Sequence, residues 1–258
     1  MDTKGIPRLP LRKTFPGLGN LLACCYMVMA ASEARLYLKN ENEGLVLVEL
    51  KVPRTRTPLL SFNLQFASQE HAQVFMNLAK AKQNGIAKYC FKSADDSSLM
   101  AIPEADYKEL FQVFEMGIVP ANTNFSTALE LRSFSVGLDV ILNVLSQMIN
   151  MRTVQGKLAY DCLASLSRDS KRLTIDVKHS NTTVLCVSFS RQVKEFDAEA
   201  WRVTCLLNAA FSYRAPVELS AENDCFMEIT IGKPDSDLMQ AHIDTLMKIL
   251  GNSTPPIA

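Results

Sequence analysis

The chain has 258 residues, enough for one large domain or two fused units that each bury a core. Hydrophobic residues make up 48% and charged residues 21%, with 27 basic residues balancing 27 acidic ones. That composition is globular, and a net charge of zero argues against a nucleic-acid coat. Charge is unevenly placed: residues 1–20 carry Lys4, Arg8, Arg12 and Lys13 against Asp2, and residues 195–250 carry ten acids against four bases. These stretches read as solvated faces or, at most, as surfaces for a protein partner.

Residues 1–17, with prolines among the basic side chains, read as a flexible arm. Leu21–Ala31 follows without a charge. It is too short to span a bilayer. It reads as a buried helix, or as the apolar part of a secretory signal, with which the sequons at Asn124, Asn181 and Asn252 are compatible. Leu36–Leu38 and Leu45–Val52 form a predicted hairpin around Asn40–Gly44. Leu60, Phe62, Leu64 and Phe66 alternate with polar residues, the period of a strand with one buried face. Ser68 caps a predicted helix that runs to about Gln83 and stops at Asn84-Gly85. Strands are predicted at Ile86–Phe91 and Leu99–Ile102, and a helix from Pro103 to Gly117.

Residues 118–126 read as a linker. Thr127-x-x-Glu130 has the capping-box pattern and opens a predicted long helix to about Met151, apolar enough to be buried on more than one side. Strands are predicted at Lys157–Leu166, Arg172–Val177 and Thr183–Ser190. A helix at Asp197–Ala210 follows, then strands at Tyr213–Ser220 and Cys225–Ile231, and a closing helix over Asp235–Leu250. The fold class is therefore α+β: a tandem duplication of an α-β-β-β-α-β-β-α unit, with antiparallel sheets covered by helices. The first unit spans 18–117 and the second 127–250, with a tail at 251–258.

The chemistry of a catalytic or metal site is missing from the motifs: there is no phosphate-cradling loop, no G-x-S-x-G and no H-E-x-x-H. His71, His179 and His242 are far apart and read as exposed or capping residues. No cofactor and no metal is expected. The seven cysteines show no C-x-x-C spacing and sit mostly in apolar segments, which points to a reduced, cytoplasmic protein. Trp201, in helical spacing with Cys205, reads as a core residue or an interface anchor. Leu238, Met239, His242, Ile243, Leu246, Met247 and Leu250 form a wide stripe on the closing helix. That stripe packs on its own sheet or under a partner helix.

The segment Phe211-Ser212-Tyr213-Arg214-Ala215-Pro216-Val217-Glu218-Leu219 resembles the F-S-x-R-x-P-P-L-E-L stretch of a known family. That family is the larger of the two paralogous α/β subunits in the actin-related-protein complex that nucleates branched actin filaments. Val184–Phe189 and Phe226–Ile231 resemble the strands on either side. The family's fold, a tandem of secretion-chaperone-like units, is similar to the element order read here. Where the family carries a basic F-P-R-H-like segment, this chain has Gly232-Lys233-Pro234-Asp235.

The resemblance implies a non-catalytic scaffold that binds protein partners, among them a paralogous α/β subunit and actin-related proteins, and neither nucleic acid nor membrane. The interaction candidates are Arg214 and Glu218 in the shared segment and Met239, Ile243 and Met247 on the closing stripe. The alternative is a chaperone-like binder of an extended client. An enzyme with a dispersed site is the third reading.

Overall fold

A computed structural model describes residues 8–53, 55–83, 89–94, 97–103, 123–132, 137–193, 197–223 and 226–234, together with 237, 240–242, 244–245 and 248. The chain divides into two compact units, Met1–Met116 and Gly117–Ala258.

The first unit opens with a strand where the sequence reads as an arm. In β1 (Arg8–Lys13), Leu9 and Leu11 are buried while Arg8, Arg12 and Lys13 are exposed. Prolines and basic residues mask that two-residue period in the sequence. Pro10 cannot donate to a ladder, yet its carbonyl accepts from Ala67 N at 2.9 Å. Helix α1 (Leu18–Ala31) starts behind Gly17, which is left-handed at φ 76°, and Leu21, Cys24, Cys25 and Val28 within it are fully buried.

Strands β2 (Arg35–Asn42) and β3 (Leu45–Lys51) are joined by Glu43 and Gly44, at φ 49° and 85°. Two left-handed residues are what a tight hairpin turn needs. A Cβ on Gly44 would lie 3.0 Å from the Phe66 carbonyl oxygen, so glycine is required there on two counts. Strand β4 (Leu60–Phe66) buries Leu60, Phe62, Leu64 and Phe66. Helix α2 (Gln69–Gln83) begins behind Ser68, whose Oγ accepts from His71 N at 3.3 Å. Strands β5 (Tyr89–Ala94) and β6 (Ser98–Pro103) complete the described part. The strands pair antiparallel in the order β2-β3-β4-β1-β6-β5. Phe75 of α2 stacks between Phe66 and Phe91, with ring centroids 5.2 and 4.7 Å away. The turn at Asn84-Gly85 and the helix over 104–117 lie outside the described residues.

The second unit departs from its sequence reading at its start. Thr123–Glu130 is a strand, β7, and not the first turns of a long helix. It also takes in 123–126, read as linker. The capping-box pattern is local, whereas β12 (Phe226–Gly232) offers β7 an antiparallel ladder that is regular from Phe226↔Glu130 to Ile231↔Phe125 and slips before Gly232↔Thr123. Among the described residues, the long apolar segment is helical over α3 (Leu138–Asn150), which starts behind another left-handed glycine, Gly137 at φ 113°. There Leu138, Leu142 and Leu145 are buried.

Strands β8 (Asp161–Leu166), β9 (Arg172–His179) and β10 (Thr182–Ser190) pair antiparallel in order. Helix α4 (Ala198–Ser212) leads to β11 (Val217–Asn223), which pairs with β12. Arg132 N donates to Ser190 O at 2.8 Å, joining the end of β7 to the end of β10. Beyond β12, residues 237, 240–242, 244–245 and 248 are helical. The class is α+β with antiparallel pairing, and the described elements run strand, helix, three strands, helix, two strands in each unit.

Candidate functional site

Helix α4 organises the surface that the sequence nominated. Its amphipathic spacing buries Ala200, Val203, Leu206, Leu207 and Ala210. Asp197 caps the start: its Oδ1 accepts from Ala200 N at 3.1 Å. The same carboxylate pairs through Oδ2 with Arg191 Nη2 at 2.6 Å. Burial would raise the Asp197 carboxyl, but the Arg191 hydrogen bond and the helix amides outweigh it and hold it below the usual carboxylate range. Arg191 is buried, and it also donates from Nε to Glu130 O at 3.1 Å and from Nη1 to Ser170 O at 3.3 Å. One guanidinium thus ties the end of β7, the turn before β9 and the start of α4 together. Nothing in the sequence marks Arg191, because its partners lie in three separate segments.

At the other end α4 stops in a Schellman turn. Ala215 N donates to Ala210 O at 2.9 Å and Arg214 N to Phe211 O at 3.2 Å. Arg214 takes the left-handed position, at φ 57°, which glycine usually fills. Its side chain is exposed, while Ala210 and Ala215 are buried. Arg214 also lines a cleft with Ile149, Leu158, Tyr160, Cys162, Phe211 and Ala215 whose open space is ≈ 10 Å³. That is room for about one water. Glu218, four residues on, is half-buried on β11. Burial and then the neighbouring Glu228 carboxylate push its carboxyl up. Arg214 and Glu218 therefore sit in different surroundings: one stops a helix, and the other opposes Thr230 on β12 with the Glu228 carboxylate diagonal to it. Met239, Ile243 and Met247 lie outside the described residues.

Helices α3 and α4 also bind sheet edges through side chains. Asn150 Oδ1 accepts from Val217 N at 3.0 Å and its Nδ2 donates to Val217 O at 2.6 Å. One turn earlier Ser146 Oγ accepts from Leu219 N at 2.7 Å and donates to Leu219 O at 3.1 Å. The i, i+4 pair on α3 takes the place of a neighbouring strand along β11. Asn208 of α4 does the same for β8: its Oδ1 accepts from Ala164 N and its Nδ2 donates to Ala164 O, each at 2.8 Å. The sequence signal for this device is a polar residue breaking an apolar helical face, but its target is legible only in three dimensions.

The most exposed large apolar side chains of this unit's α4 and β8 are Trp201, at 48%, and Leu163, at 44%. Trp201 follows Ala200 by one position, which turns it away from the buried face. Trp201, Cys205 and Asn208 follow helical spacing, so the stripe carrying Trp201 is the one that reaches β8. Of the two roles the sequence left open, the structure excludes a core position for Trp201.

The histidines are dispersed: His71 Nδ1 bonds the Ser68 hydroxyl at 2.8 Å, His179 Nδ1 meets Ala159 O at 3.1 Å, and His242 touches the Tyr213 hydroxyl. Among the described residues no group of three His, Cys, Asp or Glu side chains is placed to hold a metal ion. The described cysteines carry thiols, and burial pushes Cys25 and Cys162 up to about 12. Thiols held that high are poor nucleophiles. No helix among the described residues is long and apolar enough to cross a membrane.

Compared with known proteins, the chain matches no family model and no curated protein.

Proposed function

We propose that the chain is a non-catalytic scaffold that binds other proteins through a helix face of its second unit. The observation that carries this reading is Trp201, an exposed indole on a helix capped at both ends and clamped to β8 by Asn208. Rigidly mounted aromatic side chains are the usual energetic centre of a protein interface. The resemblance of the 211–219 segment nominates the partners: a paralogous α/β subunit and actin-related proteins. In this reading the interaction candidates Arg214, Glu218, Met239, Ile243 and Met247 serve the same partners as Trp201. Buried thiols and balanced charge support a cytoplasmic location.

The chaperone-like alternative needs a place for an extended client. Strand addition uses free backbone groups on a sheet edge. At Ala164, Val217 and Leu219 those groups are already bonded to Asn208, Asn150 and Ser146. At the β8 and β11 edges of the second unit this favours the helix-face scaffold over strand addition.

We also read the two units as copies of one ancestral element set. In support, β1 pairs with β6 as β7 pairs with β12, and the β2-β3-β4 meander corresponds to β8-β9-β10. Helices α1 and α3 both start behind a left-handed glycine without a side-chain cap.

The test of the scaffold is affinity capture with mass spectrometry, comparing wild type with Trp201→Glu. Actin-related proteins or a paralogous subunit are expected with wild type, and their recovery should fall roughly tenfold or more in the variant, as for loss of an interface hot spot. Undiminished recovery by a variant with wild-type circular dichroism would remove Trp201 from the interface. A single extended client would shift the reading to the chaperone.

A further inference from the structure

At the end of β1 the pairing with β4 slips: Leu11 opposes Phe66, but Lys13 opposes Gln65. Two steps on β1 match one on β4, so Arg12 is the extra residue of a bulge. The slip has a chemical consequence. In unbroken alternation Lys13 would share the buried side of Leu11; instead both Arg12 and Lys13 are exposed. Two adjacent cations thereby line one open groove with Asn42, Glu43, Leu45 and Gln65, about 360 Å³ in volume.

The walls of this groove are built. Gln65 pairs across the sheet with Lys13 on one side and Leu45 on the other. Its Nε2 donates to Glu43 O at 3.0 Å. Gly44 N donates to Gln69 Oε1 at 2.8 Å and Gly44 O accepts from Phe66 N at 2.9 Å, which pins the hairpin turn against β4 and α2. Arg12 Nη2 donates to Ala67 O at 3.2 Å, leaving the rest of its fork for another acceptor. Among the described residues no carboxylate forms an ion pair with Arg12 or Lys13, although Glu43 lines the same groove.

We infer that this groove binds a carboxylate of an acidic protein segment. Two cations and one carboxylate line it, so it carries an excess of one positive charge that a single carboxylate neutralises. A guanidinium fork beside an ammonium matches a carboxylate's two oxygens. The inference rests on the protein-binding reading only for the source of that carboxylate.

The probe is a fluorescein-labelled oligo-glutamate peptide, titrated into the full chain and followed by anisotropy. Binding should weaken as salt rises. Lys13→Gln should weaken it roughly fivefold and Lys13→Glu further, the scale of one exposed charge pair. A lysine control at Lys157, an exposed residue of the other unit, should leave it unchanged. Absence of binding, or equal binding by wild type and a folded Lys13→Glu, overturns the proposal. Displacement of the peptide by inorganic phosphate, but not by chloride at the same ionic strength, would replace the carboxylate by a phosphoryl group and overturn it as stated. Partner capture that survives Lys13→Glu but fails in Trp201→Glu would leave the scaffold reading intact and concern this groove alone.

Discussion

Arg214 shows how one residue can carry a local cost. A side chain at φ 57° is crowded against its own backbone, by about 1 kcal/mol relative to glycine. The Schellman turn nevertheless forms, because Ala215 N and Arg214 N satisfy carbonyls at the end of α4 and Pro216 cannot prolong the helix. Arg214→Gly should therefore raise the denaturation midpoint slightly, by up to roughly 0.5 kcal/mol in stability once the added chain freedom of glycine offsets part of the relieved strain. A lower midpoint would mean that the guanidinium makes a stabilising contact worth more than the strain. If Arg214 belongs to the partner surface, the same variant loses binding while gaining stability, a split that no purely structural role produces.

Among the elements, α3 does two jobs with two faces. Leu138, Ile141, Leu142, Leu145, Met148 and Ile149 fill the core, while Ser146 and Asn150 complete the hydrogen bonding of β11. Asn150→Ala strands both the N–H and the C=O of Val217 at a buried residue, at a cost of roughly 2–4 kcal/mol. The expected observation is a lower denaturation midpoint together with faster hydrogen exchange at Val217. An unchanged midpoint would show that water replaces the amide without penalty. With β11 opened, the variant is also expected to self-associate at high concentration, as exposed edges do.

At the scale of the whole molecule the matched element order makes a geometric prediction. In a crystal structure of the chain, residues 8–103 should superpose on 123–232 with β1 on β7, α1 on α3 and α2 on α4. The glycines Gly17 and Gly137 should coincide, since both supply a left-handed residue immediately before a helix. Alignment of the helices without the β1–β7 match would reduce the likeness to a shared helix–sheet packing and end the duplication reading.

Residue periods were enough to place much of this. The alternation in β4, the Ser68 cap of α2, the Asp197 start of α4 and the order of the later strands were legible, because each depends on neighbours a few residues away. Partners distant in the chain decided the rest. Thr123–Glu130 is a strand because β12 lies beside it, and β1 is a strand because β4 and β6 do. Arg191 is a hub because Glu130, Ser170 and Asp197 converge on it, and Asn150, Ser146 and Asn208 are edge clamps because β11 and β8 end where those helices pack. Local pattern determines how a segment can bury its apolar face. Where its unpaired hydrogen bonds go depends on which segment arrives next to it, and only the tertiary structure supplies that neighbour.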